Sequence, residues 1–355
     1  MRLFLYMLIF IPISMVFHFC HLPKSVSFFL AALAIIPLAA FMGRATEEIA
    51  SKKGAAIGGL LNATFGNATE LIIAFIALSK GYIDVVKASI TGSIIGNLLL
   101  VMGASFLAGG LKFKIQKFSK AVVGNGASML TTAVIGLVVP SMYSYTTGVA
   151  QTDPVVVRLS EWVAIALLSV YFLGLFFSLH THKRLMCVEE DEGAAEECGG
   201  QHWSMKKAVT ILVLSTVFVA IESEILVDSI HAVISALHLT ELFVGIIIVA
   251  IIGNASEHAA AIFMAMKGKA DLAMNISQGS SVQVVLFVAP VLVLFGMLIG
   301  QPMSLVFTHF EVLAVAVSVI IAGAVAQDGE SNWYEGVMLL AVYLILAGAF
   351  FFLGK

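Results

Sequence analysis

Apolar residues run through this 355-residue chain in long blocks, and polar residues are confined to the connections between them. A helix needs about 20 apolar residues to cross the hydrocarbon core of a bilayer. Eleven blocks near that length occur, at about 3–20, 25–47, 56–79, 84–110, 119–142, 157–180, 206–236, 242–267, 270–299, 304–326 and 334–353. The pattern predicts an all-α polytopic membrane protein with about 11 transmembrane helices. Composition agrees, since 12% of residues are charged where soluble domains carry about 25%. The segment Met1–Cys20 has Arg2 ahead of an apolar run, as a signal peptide does. No small-residue cleavage pattern follows it and further spans come directly after, so it reads as a first transmembrane helix.

Charge distribution orients the spans. With the N-terminus inside, the cytoplasmic connections carry fourteen Lys and Arg residues and the opposite side carries five. This positive-inside bias predicts a cytoplasmic N-terminus and a C-terminus outside. The net charge of −3 says little about partners; the bilayer is the partner expected, and nucleic acid is not. Cys20, Cys187 and Cys198 fit neither a disulfide framework nor a zinc site. The longest polar stretch, His180–Met205, holds Glu189, Glu190, Asp191, Glu192, Glu196 and Glu197. It reads as a solvated cytoplasmic linker between two halves, or alternatively as a low-affinity segment that attracts cations.

Two apolar blocks are interrupted by the same motif, GNATE at Gly66–Glu70 and GNASE at Gly253–Glu257. The offset is 187 residues, and without gaps it makes ten of the 28 positions from Gly66 to Ser93 identical. That degree of identity indicates a duplication. The third and eighth spans are an odd number apart, so the two copies are expected to run in opposite directions across the bilayer. Inverted repeats bring equivalent broken helices together near the midplane, where secondary transporters hold their substrate. The expected organisation is an additional N-terminal helix (1–24), a first inverted repeat of five helices (25–180), an acidic connector (181–205) and a second inverted repeat of five helices (206–355).

The motif places a carboxylate where it costs several kcal/mol even on lenient insertion scales, which marks it as functional by default. Glu70 and Glu257 follow their glycines by four residues and are expected on the same helical face as them. Gly66 and Gly253 loosen the helix and free carbonyl oxygens, while Asn67 and Asn254 can brace carboxylate or backbone. Two carboxylates with carbonyls suit a hard cation such as Ca²⁺, which takes six to eight oxygens. With His258 as the only nearby nitrogen, softer metals fit less well. Two anions close together in a low dielectric cannot both stay charged without a cation, so the same site should take up protons when empty. Competition of Ca²⁺ and H⁺ for one site is the minimal requirement for exchange.

Supporting residues divide between functional and structural readings. The bland reading of Glu70 and Glu257 is a neutral buried carboxyl, which the duplication argues against. His258, opposite Leu71 in the first copy, is a proton relay or a packing histidine. Ser93, Ser280 and Gln283 follow each motif in small-residue stretches and either line the site or allow close helix packing. Glu48 and Glu224 are placed near the cytoplasmic ends of the second and seventh spans. They either guide protons or Ca²⁺ inward or snorkel to water. Asp84 and Asp271 repeat as well, at helix starts where N-capping accounts for them.

GNATELI at 66–72, GSIIGN at 92–97, GNASEHAAA at 253–261 and GSSVQ at 279–283 together resemble the cation/proton exchangers of the calcium/cation antiporter superfamily. The resemblance covers nearly the whole chain, and the proline-containing G-T-S-x-P-E pattern typical of the sodium-driven branch is absent. It implies that Glu70 and Glu257 bind Ca²⁺ and exchange it for protons, that the Gly66 and Gly253 carbonyls complete the shell, and that Ser93, Ser280 and Gln283 are the polar residues of the following helices. It departs from symmetry at Gly96, where the second copy has Gln283. The function implied is a calcium/proton antiporter that exports cytoplasmic Ca²⁺ by alternating access, with a sodium-driven or broader divalent (Mn²⁺) exchanger as the alternative. The expected location, by similarity to bacterial members, is the plasma membrane. No cofactor is expected beyond the transported ions, and a homo-oligomer stays open. A passive channel fits the inverted carboxylates poorly. An intramembrane metalloprotease lacks the H-E-x-x-H spacing, so a secondary active transporter, not an enzyme, is expected.

Overall fold

The structure, a computed structural model, describes residues 2–53, 61, 64–181 and 203–353. The acidic connector residues Glu189–Glu197, together with Cys187 and Cys198, lie outside them. The described elements are helices α1 (Leu3–Phe19), α2 (Lys24–Lys53), α3 (Ala68–Ser79), α4 (Ile83–Gly110), α5 (Lys120–Thr147), α6 (Pro154–Thr181), α7 (Met205–Leu237), α8 (Glu241–Gly253), α9 (Ala255–Met266), α10 (Ala270–Leu298), α11 (His309–Val325) and α12 (Trp333–Phe352). A two-residue antiparallel pair, β1 (Gln116–Lys117) with β2 (Glu330–Ser331), ties the α4–α5 connection to the α11–α12 connection.

Each of the eleven apolar blocks contains helix, but among the described residues seven helices are long and apolar enough to cross a membrane, or eight if the bent pair α8–α9 counts as one span. The shortfall has local causes. The eighth block is broken at Asn254 by a bend of 61°. The third is interrupted by the turn at Gly66–Asn67, which leaves the 12-residue α3. In the tenth block the helix starts at His309, where Thr308 and Glu311 form a reciprocal capping box.

The stretch before α11 is not helical, yet its backbone is satisfied from within the protein. Leu305 N–H donates to Ser160 Oγ at 2.9 Å and Phe307 N–H to Ser141 Oγ at 3.0 Å. Phe307 C=O accepts from the Tyr145 hydroxyl, and Val306 C=O accepts from Lys87 Nζ at 3.0 Å. Irregular backbone at this depth persists only with such partners.

α4 and α10 are the most buried of the long helices, while α5, α6 and α12 turn apolar residues such as Ile135, Trp162, Phe172, Leu344 and Ile345 outward. α2 and α7 pack antiparallel along their length, registered by Lys52 donating to the Trp203 carbonyl and by Thr216 Oγ1 meeting Met42 Sδ at 3.5 Å.

The connections gather at two ends. At one lie Lys52 with Trp203, Lys112 with the Met266 carbonyl (3.2 Å), Ser119 N–H on Asp271 (2.6 Å) and the β1–β2 pair. At the other lie Lys80 with Asp228, Lys87 with Gln151 and Ser304, and His231 with Glu241. The offset of 187 residues carries α3 onto α9 residue for residue. It also carries the π-helical turn Gly96–Val101 of α4 onto residues 283–288 of α10, where a second π-helical turn occupies Val284–Val288.

Asp84 and Asp271 do not cap their helices. The capping positions are Tyr82 and Lys269, neither of which makes a side-chain capping bond. Both aspartates sit in the first turn, where a negative charge complements the helix dipole, and Asp271 is further occupied by Ser119.

Close crossings depend on glycine. A Cβ on Gly336 of α12 would stand 2.6 Å from the Gly103 carbonyl oxygen of α4, and a Cβ on Gly103 would stand 3.0 Å from the Gly336 carbonyl oxygen. Small residues at such contacts let backbones approach within van der Waals distance. Gly336→Val should therefore overpack this crossing by about 1–3 kcal/mol. A lowered midpoint in thermal unfolding of the detergent-purified protein, with Gly348→Val unchanged as the open-space control, is the expected result.

Candidate functional site

Both motifs fall at helix breaks. Gly66 and Asn67 form a turn, and α3 starts at Ala68 with Glu70 in its first turn. Gly253 ends α8, Asn254 is the break, and α9 starts at Ala255 with Glu257 in its first turn. Glycine and glutamate of each motif therefore stand on opposite sides of a break and do not share one continuous helical face. The break supersedes the four-residue periodicity, because the turn rotates the two segments relative to each other.

The structure brings the two motifs together. A Cβ on Gly253 would lie 2.9 Å from Glu70 Cγ, so the absence of a side chain at Gly253 is what admits the Glu70 side chain. Glu70 is buried, and its carboxylate is close enough to that of Glu257 for the two to interact electrostatically. Glycine serves the same end one level away. Gly245 of α8 faces Ala88 of α4, where a Cβ would come 2.9 Å from the Val85 carbonyl oxygen. That crossing holds α8, and with it Gly253, against the helix that carries Ser93 and Asn97.

A network of amides and hydroxyls joins the motifs to the helices that follow them. Asn254, fully buried, donates from Nδ2 to Ser93 Oγ and to the Ala250 carbonyl, both at 2.9 Å. Its Oδ1 accepts from Asn97 Nδ2 at 3.2 Å and from Ser280 Oγ at 3.4 Å. Asn67 Nδ2 donates to the Ser280 carbonyl, and its Oδ1 accepts from Ser280 Oγ, each at 3.3 Å. Ser280 Oγ also accepts from Asn97 Nδ2 at 2.9 Å and stands beside the Glu257 carboxylate. Each motif asparagine thus engages the helix after the opposite motif: Asn67 engages α10 and Asn254 engages α4.

Among the described residues three buried oxygens here have no hydrogen-bond partner: Glu70 Oε1, Glu257 Oε2 and Asn97 Oδ1. A buried acceptor left unpaired is costly. Three of them gathered about one pair of helix breaks form a donor set for a cation. Among the described residues no group of three or more His, Cys, Asp or Glu side chains forms a metal cluster. The set is therefore two carboxylates with neutral oxygens around them, which suits a hard ion such as Ca²⁺ better than zinc.

The remaining residues singled out from sequence fall differently. Gln283 sits at the end of the α-helical part of α10, just before the π-helical turn, and its side chain hydrogen-bonds to none of the described residues. His258 follows Glu257 with its Nε2 buried and unpartnered. Glu48 is bound at the Trp203 end, where its Oε2 accepts the Trp203 N–H at 3.2 Å.

Glu224 is not at that end. It is exposed and lies 3.7 Å from Lys80, at the opposite end of α7, because that helix extends 33 residues from Met205 and position 224 is past its middle. Asn97 is the residue missed. Its signal was the last letter of the TGSIIGN stretch, and the second copy has Val284 at the corresponding position.

A family profile described as sodium/calcium exchanger protein matches residues 24–180 and 207–352. The chain is 50% identical over 361 residues to the Ca(2+)/H(+) antiporter of Aphanothece halophytica, covering 99% of this chain and 96% of that one. It is 44% identical over 346 residues to the Ca(2+)/H(+) antiporter ChaA of Bacillus subtilis (strain 168), covering 97% of each. Among solved structures, native YfkE matches with a TM-score of 0.86 at 40% identity, over 99% of this chain and 100% of that one. The H+/Ca2+ exchanger CAX matches with a TM-score of 0.68 at 17% identity, over 99% of this chain and 92% of that one, a likeness of fold.

The network makes Asn254 the residue with most to lose. Asn254→Ala should strand the Ser93 hydroxyl, remove one of the two acceptors of the Asn97 amide and cost about 1–3 kcal/mol. Its thermal midpoint in detergent is expected below wild type, whereas Gln283→Ala, outside the network, is expected to match wild type.

Proposed function

The chain belongs to the sodium/calcium exchanger protein family, among the cation/proton exchangers, and on that premise we propose that it exports cytoplasmic Ca²⁺ in exchange for H⁺ through a midplane site built on Glu70 and Glu257. The observation that carries this reading is the meeting of two buried carboxylates, from two copies of one motif, with unpartnered oxygens around them. In the loaded form the two carboxylates, the Gly66 and Gly253 carbonyls and the amide oxygen of Asn97 surround Ca²⁺. In the return form each carboxylate holds a proton. Either form removes the uncompensated charge that would otherwise forbid the site from sitting in a low dielectric, and a site that must be neutralised before it can switch sides does not leak when empty.

In this reading residues 25–180 and 206–355 are two inverted halves, each contributing one broken helix to the site, and residues 1–24 are an addition to them. The Trp203 end, with Arg44, Lys52, Lys53, Lys112 and Lys207, faces the cytoplasm by the positive-inside rule, which puts the Lys80 end outside. The membrane is a bacterial plasma membrane.

Energetics limit what two carboxylates can accomplish. Moving two charges out against a potential of about 150 mV costs about 7 kcal/mol. A Ca²⁺ gradient of about ten-thousandfold adds about 5.5 kcal/mol. Two returning protons carry the same charge as Ca²⁺, so they cancel the electrical part and leave the gradient to be driven by the pH difference alone. Where that difference is small, export against a steep gradient needs a further proton.

In everted vesicles, acidifying the lumen should drive Ca²⁺ uptake, and Glu70→Gln or Glu257→Gln should each reduce it to background. Full uptake by both variants would sink the two-carboxylate mechanism. Uptake driven by a sodium gradient and not by a pH gradient would instead favour the sodium-driven reading.

A further inference from the structure

Among the described residues Glu48, Glu222 and Glu311 are buried apart from the Glu70–Glu257 pair, and Glu48 and Glu311 accept hydrogen bonds. Glu222 is completely buried close to the midpoint of α7, and neither of its carboxylate oxygens makes a hydrogen bond. The polar group beside it is Ser14 of α1, also completely buried, a donor next to the carboxyl that falls outside full hydrogen-bond geometry. Ser14 is the one buried residue of the helical stretch Phe10–Phe19, whose other side chains are partly or fully exposed. This segment of α1 thus turns its single fully buried side chain, a polar one, toward a carboxylic group in the interior.

Among the described residues no cation compensates Glu222. The titratable groups on the helices packed around it stand elsewhere. His18 of α1 is one turn beyond Ser14 toward the α1–α2 turn. Arg44, Glu47 and Glu48 of α2 lie toward the Trp203 end, where Glu48 is held by Trp203. Glu70 of α3 is directed at Gly253. On α7 itself, Glu224 and Asp228 face Lys80. A charged carboxylate with no cation and no donor in full hydrogen-bond geometry is not tolerated in a membrane interior, and the neutral acid is.

The surroundings are more than a pocket for a neutral acid. Ser215, Glu222 and Ser229 follow one another at seven-residue spacing on one face of α7, and all three are buried. The hydroxyls of Ser223 and Ser229 on α7 and of Ser27 on α2 are also buried without partners. The antiparallel register of α2 and α7, fixed by Lys52 with Trp203 and Met42 with Thr216, sets Ser27 at about the level of Ser229. Unsatisfied hydroxyls therefore extend from Glu222 toward the Lys80 end, where Asp228 and Glu224 reach the surface. A structural acid needs one partner; these hydroxyls mark a polar path from Glu222 toward the Lys80 end, without hydrogen bonds to one another.

We propose that Glu222 is a second proton site of the transport cycle, separate from the Glu70–Glu257 pair and loaded from the Lys80 end through the Ser27–Ser229 level, so that each Ca²⁺ is exchanged for more than two H⁺. The proposal rests on the exchange reading. The proton enters and leaves as H⁺ on one carboxyl oxygen, and no other bond changes. The site supplies the further proton that the two-carboxylate pair lacks.

The coupling ratio tests it. In proteoliposomes with fixed Ca²⁺ and pH gradients, the membrane potential at which net Ca²⁺ flux vanishes reports the protons moved per Ca²⁺. Wild type is expected to be potential-sensitive. Glu222→Gln is expected to keep pH-driven Ca²⁺ flux, lose one H⁺ per Ca²⁺ and become insensitive to potential. An unchanged ratio in Glu222→Gln, or a potential-insensitive wild type, overturns the proposal.

A second measurement covers a variant that does not fold. Infrared spectra of wild type in saturating Ca²⁺, which keeps the Glu70–Glu257 pair deprotonated, should retain a buried carboxylic acid C=O band that titrates away in alkaline buffer and shifts in Glu222→Asp. Absence of that band, or a band that never titrates, overturns the site. Failure of wild type to exchange Ca²⁺ for H⁺ would instead remove the function proposed above and leave the infrared result to stand by itself.

Discussion

A carboxylate inside a bilayer must be neutralised, and the whole arrangement of this protein follows from having two of them at one place. Glu70 and Glu257 meet because two helices break at the Gly-Asn pairs of the motifs, and because Gly253 has no side chain where Glu70 needs room. The asparagines next to those glycines then lock each break to the helix that follows the other motif. Close contact, breakage and cross-bracing all depend on one five-residue motif, used twice with Thr69 exchanged for Ser256.

That economy leaves the site symmetric in frame and asymmetric in detail. Asn97 donates to both Asn254 and Ser280 from the first half, while the corresponding residue of the second half is Val284. His258 and Gln283 likewise face no counterpart at Leu71 and Gly96. The surrounding helices follow the same logic of satisfaction. Where the backbone before α11 is extended, serines of α5 and α6 and the amine of Lys87 supply the missing donors and acceptors.

Much of this was legible in the chain. Apolar block length gave the helices, the 187-residue repeat named both glutamates and both asparagines, and Ser93 and Ser280 were found as members of the repeat. What misled was periodicity applied across a break. Glu70 was expected on the face of Gly66, but a turn separates them. Glu224 was assigned to the end of α7 that it does not occupy, since block boundaries do not locate a residue within a 33-residue helix. Asp84 and Asp271 were assigned to capping because an acidic residue at a helix start has two uses, and sequence does not distinguish the cap from the first turn. Glu222 is distinguished only by its packing, since its place in ESEIL does not tell a buried carboxyl from an exposed one.

By itself, the sequence determined composition, periodicity and duplication: a membrane-embedded helical chain with paired motifs whose chemistry suits Ca²⁺ and H⁺. Those properties are local or depend on a fixed offset, so they survive without coordinates. Only the tertiary structure decided which polar atoms are satisfied. Whether Glu70 lies on Gly253, whether Asn97 reaches Asn254, and whether Glu222 and Ser14 come within full hydrogen-bond geometry depend on distances between helices far apart in the chain. A hydrogen bond forms or fails within a few tenths of an ångström, and that precision is set by packing alone.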